Sequence, residues 1–290
     1  RQWRFPQFFP VKLDDVLNGF TGDRHVIGHQ DGVFRHRRHV DEFRHACGAA
    51  IHHRRIACVA EKRREVFICS GRAPSYMGVV LDTIPVEFDG IVGLNGQFCT
   101  TRDGLDYRHP IDLHDVEIIT DWLQSHTDVV ANYAESNYGY FNRINAALER
   151  TWNSLGKTAP KIDICNPQQR IGNHRTFQIS SYVDKATEAE IAGHVRQRAR
   201  CEVASRLTDL IPADGGKAVG MQVVLEHFGW SRDNAIAFGD GGNDVDMLRF
   251  AGIGVAMGNA TDEPKTVADY VTDSVDDAGI SNALHHFEIL

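Results

Sequence analysis

Short apolar runs alternate with helix-like stretches from residue 65 to the end of the chain. The apolar runs have the length of buried strands and lie at residues 66–69, 91–94, 235–238, 253–257 and 270–272. The stretches with helical spacing lie at residues 74–82, 218–228, 245–251 and 280–287. Alternation of strand and helix is typical of a parallel sheet, so we predict an α/β fold.

The middle of the chain has a different pattern of apolar and polar residues. Residues 98–195 predict helices at 115–126, 145–155 and 188–200, and strands at 129–133 and 177–182. We interpret this part as a separate α/β domain inserted into the sheet domain. The sheet domain then consists of residues 65–97 and 196–290.

Residues 1–64 are unlike the rest of the chain. They hold 11 Arg and 2 Lys against 7 acidic residues, a net charge of +6, and seven of the 15 His. Three interpretations stay open: a basic N-terminal arm, a tail that binds RNA or metal, and a stretch that is not natural sequence, such as an out-of-frame translation.

Composition excludes several classes of protein. The 290 residues are 42% hydrophobic and 24% charged, and no apolar run approaches the ~18 residues of a membrane span. The six cysteines form no CxxC pair, which argues against zinc ribbons and disulfide frameworks. The net charge of −8 disfavours a nucleic-acid partner. We expect a soluble cytoplasmic protein without a membrane or nucleic-acid partner; its oligomeric state is not predicted.

The stretch from Gly239 to Asp244 carries the most chemical information. Asp240 and Asp244 are separated by two glycines and Asn243, directly after a predicted buried strand. Mg²⁺ prefers one or two carboxylates together with water and phosphate oxygens, so this turn is a candidate metal site. A turn whose Asp and Asn side chains merely cap the next helix is an equal alternative.

Two other features follow predicted strands or begin helices. Lys217 stands at a predicted helix start, where an ammonium group and free backbone N–H groups would attract an anion. The alternative is an ordinary surface lysine. Ser70 and Gly71 follow the strand at 66–69, and Ser70 would either bind phosphate or cap the helix that follows.

Taken in order, Ser70-Gly71-Arg72, Asn95-Gly96, Lys217 and the block from Gly239 to Asp244 resemble the haloacid dehalogenase-like superfamily. They are most similar to its Cof-type sugar-phosphate phosphatases, which have a Rossmann-like core with an inserted α/β cap. The resemblance covers residues 65–290. It implies that residues 98–195 are the cap.

The resemblance also implies a role for each motif residue. Ser70 and the amide of Gly71 would hold the phosphoryl group, and Lys217 would neutralise its charge. Asp240 would ligate Mg²⁺ and Asp244 would support the metal shell. The remaining residues would bind phosphate or line the site: Arg72, Asn95, Gly96 and Asn243.

The implied activity is Mg²⁺-dependent hydrolysis of small-molecule phosphate esters through an aspartyl-phosphate. The family's Asp-x-Asp-Gly-Thr motif is not recognisable in this sequence. A βαβ unit of about 30 residues would put the nucleophile near residues 33–40, which contain no carboxylate. The nearest fragments of the Asp-x-Asp-Gly-Thr motif contain Asp31 or the pair Asp14-Asp15. Neither follows an evident buried strand at that distance. We interpret Asp31 as a turn residue in preference to a catalytic residue.

The missing motif leaves the chain's activity open. A non-catalytic protein that binds phosphorylated ligands on the same fold is one alternative, and a phosphomutase is another.

Overall fold

A computed structural model describes residues 8–12, 65–81, 87–154, 161–181, 183, 185–194, 199–204 and 207–290. Within them the strands are β1 (Phe8–Lys12), β2 (Glu65–Cys69), β3 (Gly90–Gly93), β4 (Phe98–Thr101), β5 (Asp106–Arg108), β6 (Ala131–Ala134), β7 (Gly139–Phe141), β8 (Gln178–Ser181), β9 (Ala199–Ala204), β10 (Leu207–Pro212), β11 (Ile236–Gly239), β12 (Ile253–Ala256) and β13 (Tyr270–Val271). The α-helices are α1 (Pro74–Leu81), α2 (Leu113–Ser125), α3 (Ala146–Ser154), α4 (Lys185–His194), α5 (Lys217–Phe228), α6 (Val245–Phe250), α7 (Asp262–Val267) and α8 (Gly279–His286).

The core is built on parallel strands. β1, β2 and β3 are neighbours and run parallel, and β11, β12 and β13 form a second parallel set. β1 also contacts β11, which brings the two sets together. The side chains of β2 and β11 are buried almost throughout, as expected for strands covered on both faces. These observations confirm the predicted α/β class.

Helix α5 packs its apolar residues into the same core cluster as β2 and β11. Met221, Val224 and Leu225 are buried on the face predicted from their spacing. The helix ends at Gly229, whose φ of 67° is left-handed and whose N–H reaches back to carbonyls of the last turn. The beginning of α5 is thereby fixed beside the carboxyl ends of the core strands.

The cap is a separate five-stranded antiparallel sheet in the order β7-β6-β8-β10-β9. Its own apolar cluster lies between this sheet and α2. A smaller cluster joins the cap to the core, and we call this contact the seam: Ala73, Leu94, Phe98, Ala134 and Phe177.

The sheets divide the chain at different points from the predicted domain boundaries. β4 and β5 fall in the predicted cap but continue the core sheet antiparallel to β3. β9 and β10 fall in the predicted core but complete the cap sheet. Residues 199–200 were predicted to end a helix, but they begin β9, because residues 199–204 pair along their whole length with β10.

The N-terminal stretch takes part in the core through β1. Phe8–Lys12 pairs in parallel with β2, with Lys12 opposite Cys69. Asp14-Asp15 therefore come shortly after a strand of the core sheet, although the connection from β1 to β2 is longer than an ordinary βαβ unit. The rest of residues 1–64, including Asp31 and residues 33–40, lies outside the described residues.

Among the helices of the described residues, none has both the length and the apolar character that crossing a bilayer requires.

Candidate functional site

The turn after β11 is organised by the carboxylate of Asp244. Its Oδ2 accepts hydrogen bonds from the backbone N–H groups of Asp240, at 3.0 Å, and Gly241, at 2.9 Å. Gly239 makes this possible, because a Cβ atom there would lie 2.5 Å from the Cβ of Asp244. Asp240 is thereby held at the carboxyl end of β11 with its side chain partly exposed.

Lys217 lies against the same turn. Its Nζ is 2.5 Å from Oδ1 of Asp244, and neither side chain has exposed surface. Because Lys217 is buried, the alternative of a surface lysine is wrong. Burial of an ammonium group is costly unless it is paired, so the ion pair fixes Lys217 next to the Asp240 turn.

A left-handed turn follows β3 and packs against the end of β2. Leu94 and Asn95 both have positive φ, 51° and 52°, a conformation that ordinary residues adopt rarely. Asn95 N donates to Ser70 O at 3.1 Å, and Leu94 N donates to Arg72 O at 3.2 Å. The two candidate motifs Ser70-Gly71-Arg72 and Asn95-Gly96 are therefore one structural unit.

The hydroxyl of Ser70 has a local role in this unit. Ser70 Oγ accepts a hydrogen bond from Arg72 N at 3.1 Å, and the side chain is buried. A hydroxyl that accepts one bond still has a proton to donate. Because helix α1 begins only at Pro74, this bond closes a turn before the helix and does not cap it. The hydroxyl geometry is compatible with phosphate binding.

Asn95 joins this unit to the turn after β11. Its Oδ1 accepts a hydrogen bond from Nδ2 of Asn243 at 2.9 Å, and both residues are buried. Gly96 packs directly on Gly216, so closely that a side chain at Gly96 would collide with the Gly216 carbonyl. Every predicted site residue within the described part of the chain therefore lies in one connected cluster beside the carboxyl ends of the parallel strands.

The donor set at this edge fits a hard cation. Within the described residues no three His, Cys, Asp or Glu side chains gather into a metal cluster. Mg²⁺ needs only one or two protein carboxylates, and Asp240 offers a partly exposed one whose Oδ2 is 3.4 Å from Nδ2 of Asn259. Both oxygens of Asp244 already accept bonds within the protein, which suits a supporting role.

Sequence analysis missed two polar side chains of the cap at this site. Gln178 and Asp209 are buried at the seam and both accept hydrogen bonds from Asn95 Nδ2, at 3.1 and 2.9 Å. The available signal is a polar residue within an apolar stretch, since Gln178 lies between Phe177 and Ile179. Such a residue must find a buried partner, but the sequence does not say which.

Burial raises the pKa of Asp209 to about 6. The hydrogen bonds of Ser180 and Asn95 and the positive charge of Lys217 oppose this shift. The positive charge of Lys217 in the core therefore affects the pKa of a carboxyl group in the cap.

The chain matches the family model of the haloacid dehalogenase-like hydrolases over residues 52–284, and it belongs to this family. The match confirms the resemblance predicted from the motifs.

Two of the proteins with similar sequences are named as phosphatases. The chain is 29% identical over 236 residues to a putative phosphatase, YkrA, of Bacillus subtilis, an alignment that covers 80% of this chain and 89% of YkrA. It is 38% identical over 109 residues to the B. subtilis 5-amino-6-(5-phospho-D-ribitylamino)uracil phosphatase YitU, covering 38% of each chain.

Solved structures share the fold. BT1666, a phosphatase of this superfamily from Bacteroides thetaiotaomicron, superposes with a TM-score of 0.77 over 100% of this chain and 98% of its own, at 24% identity. The subclass IIB sugar phosphatase BT4131 matches with a TM-score of 0.72 at 25% identity, over 81% of this chain and 90% of its own. Family and relatives confirm a hydrolase that acts on phosphate esters.

Proposed function

We propose that this protein is a Mg²⁺-dependent phosphatase of phosphorylated sugars or similar small metabolites. The observation that carries the proposal is the buried Lys217–Asp244 pair, which fixes an ammonium group beside the Asp240 turn. Phosphoryl transfer depends on positioning and on cancelling the charge of the phosphoryl oxygens. A sugar phosphate is supported by the sugar phosphatase BT4131 among the structural relatives.

Each residue of the candidate site would have the role in hydrolysis that its chemistry suits. Asp240 would hold the metal, which when bound polarises the phosphoryl oxygens. Lys217 would balance their negative charge. Ser70 and the amide of Gly71 would orient the group by hydrogen bonds, and Asn243 would add a further donor.

We propose Asp14 and Asp15 as the candidates for the nucleophile and the general acid. β1 ends at Lys12, opposite Cys69, and Ser70 follows Cys69 directly. Asp14 and Asp15 are the first carboxylates after β1 in the sequence. Attack by a carboxylate oxygen on phosphorus would break the ester P–O bond, the departing oxygen would take a proton, and water would release phosphate from the aspartyl-phosphate.

Hydrolysis of p-nitrophenyl phosphate with and without Mg²⁺ tests the proposal. We expect Mg²⁺-dependent turnover by the full chain, its loss in either Asp14→Asn or Asp15→Asn, and its retention in Asp31→Asn. Protein that is acid-quenched during a reaction with radiolabelled substrate should carry covalently bound label. The variant that lacks the nucleophile should carry none. Full activity in both the Asp14 and Asp15 variants would contradict the assignment.

A non-catalytic phosphate-binding protein is the second candidate. The five residues of β1 include no carboxylate, and Lys12-Leu13-Asp14 has the spacing of Asp-x-Asp with lysine in the first position. Calorimetry with inorganic phosphate distinguishes the two: binding to the full chain without any Mg²⁺-dependent turnover would favour the binding protein.

A further inference from the structure

A hydrogen-bonded bridge crosses the seam between cap and core. Both amide hydrogens of Asn95 are taken by cap residues, Gln178 Oε1 at 3.1 Å and Asp209 Oδ2 at 2.9 Å. Gln178 in turn donates to Gly71 O at 3.1 Å and to Ser180 Oγ at 3.0 Å. The cap strands β8 and β10 are therefore bonded directly to the two core turns that form the candidate phosphate site.

Asn95 is held in place by several contacts at once. Its backbone is left-handed, with φ 52° and ψ 37°, a conformation that Asn adopts more readily than most residues, and the side chain has no exposed surface. Here the backbone N–H bonds Ser70 O while all three polar positions of the side-chain amide are occupied.

The direction of the Asn95 amide depends on its acceptors. If the amide were reversed, its oxygen would face the oxygens of Gln178 and Asp209, and its hydrogens would face the amide hydrogens of Asn243. Two acceptors on the cap side therefore allow only the orientation in which Asn95 Oδ1 receives Asn243 Nδ2. This bond joins residues 148 positions apart in the sequence.

We propose that Asp209 is a positioning residue, a cap carboxyl that sets the orientation of Asn95 and through it directs Asn243 toward the phosphoryl group. The proposal rests on the proposed function, because Asn243 is there a phosphate ligand. Asp209 does not touch the reacting group. It acts through Asn95, so the cap contributes to phosphate positioning in the core.

Hydrolysis of p-nitrophenyl phosphate by Asp209 variants tests this role. Asp209→Ala removes the carboxylate acceptor and leaves Asn95 Nδ2 with Gln178 Oε1 alone. We expect kcat to fall by about 10-fold or more with a smaller change in KM, because misplaced groups lose transition-state contacts first. Asp209→Asn keeps an acceptor oxygen for Asn95, so its kcat should stay within about 3-fold of the parent. Full kcat in a folded Asp209→Ala variant would overturn the proposal.

Thr120→Val is the matched control. Thr120 is buried in the cap, where its hydroxyl bonds Val116 O at 2.7 Å and Tyr133 OH at 2.9 Å, and both of these partners belong to the cap. Loss of this buried hydrogen bond should lower stability and leave kcat unchanged. An equal fall of kcat in both variants would mean that any weakening of the cap lowers activity, and the proposal would fail.

A double-variant cycle separates positioning from general destabilisation. If Asp209 acts only through Asn95, Asp209→Ala should cost kcat little further once Asn95 is already Ala. Interacting residues give non-additive effects, whereas independent ones multiply. Multiplied losses in the double variant would overturn the proposal.

Hydrogen exchange gives a readout that does not need activity. The backbone amides of residues 94, 95 and 97 are hydrogen-bonded, so deuterium uptake there should rise in Asp209→Ala and not in Asp209→Asn or Thr120→Val. Unchanged uptake in Asp209→Ala would refute the positioning role even in an active enzyme. Raised uptake in a chain without turnover would keep the positioning role and refute the phosphatase.

Discussion

Lys217 and Asp244 form an ion pair that is entirely inside the protein, with 2.5 Å between Nζ and Oδ1 and no exposed surface on either side chain. The second oxygen of Asp244 holds two backbone amides of the turn that carries Asp240. One carboxylate therefore fixes both the cation and the candidate metal ligand.

Removal of one partner should destabilise the fold strongly. Lys217→Met leaves the Asp244 carboxylate buried without its cation, and we expect the free energy of unfolding to fall by about 3–5 kcal/mol. Urea denaturation followed by circular dichroism measures the change. The double variant Lys217→Met/Asp244→Asn removes both charges and should regain at least about half of the loss, without regaining activity. No recovery in the double variant would show that packing, and not charge, dominates the site.

Asp240→Asn should separate metal binding from folding. The Asp240 side chain is partly exposed and its Oδ2 makes a long contact with Asn259 Nδ2, 3.4 Å, so the thermal midpoint without metal should shift little. Mg²⁺ stabilises the state that binds it, so it should raise the midpoint of the parent and not of the variant. Turnover of p-nitrophenyl phosphate should be lost as well.

Asp246→Asn is the control for this variant. Asp246 is an exposed carboxylate two residues beyond Asp244 and lies 3.8 Å from Arg249. It should leave both the Mg²⁺-induced shift and the turnover unchanged. A Mg²⁺-induced shift that survives in Asp240→Asn would remove Asp240 from the metal site.

The sequence was sufficient for those core strands that are buried on both faces. Continuous apolar runs such as those of β2 and β11 identify themselves without knowledge of their neighbours. The cap strands β9 and β10 were missed because they are defined by pairing with each other and with β8, which is not a local property. The N-terminal strand β1 was missed because residues 13–64 separate it from its partner β2.

The candidate site shows the same limit. Lys217 and Asp240 could be predicted because each stands at the end of a recognisable element. The bonds of Asn95 to Asp209 and Asn243 join residues 114 and 148 positions apart, and no spacing rule reaches that far. The sequence therefore predicts which elements carry the chemistry, while tertiary packing decides which side chains support it.

The raised pKa of Asp209 predicts a pH dependence of stability. Burial lifts its pKa from the ordinary 3.8 to about 6, so between these values the folded protein holds a proton that the unfolded chain has released. Stability must then fall as pH rises through this window, by about 3 kcal/mol in total. Asp209→Asn cannot lose the proton. Relative to the parent it should gain stability between pH 4 and pH 7, measured by urea denaturation at each pH. A constant difference across that range would mean that Asp209 has no raised pKa.

Gly96 and Gly172 provide a test of how closely the Asn95 turn must approach Lys217. Both glycines have left-handed backbones, with φ of 91° and 88°, so Ala at either position carries the same backbone cost of about 1–2 kcal/mol. A Cβ at Gly172 would meet no atom within 4 Å, whereas one at Gly96 would collide with the Gly216 carbonyl, directly before Lys217. We expect Gly96→Ala to cost at least about 1–3 kcal/mol more than Gly172→Ala in urea denaturation, since the backbone has to move apart. Because that movement displaces the start of α5, turnover should fall in Gly96→Ala and remain in Gly172→Ala. Equal costs in the two variants would show that the turn and the helix are not in the tight contact on which the site geometry depends.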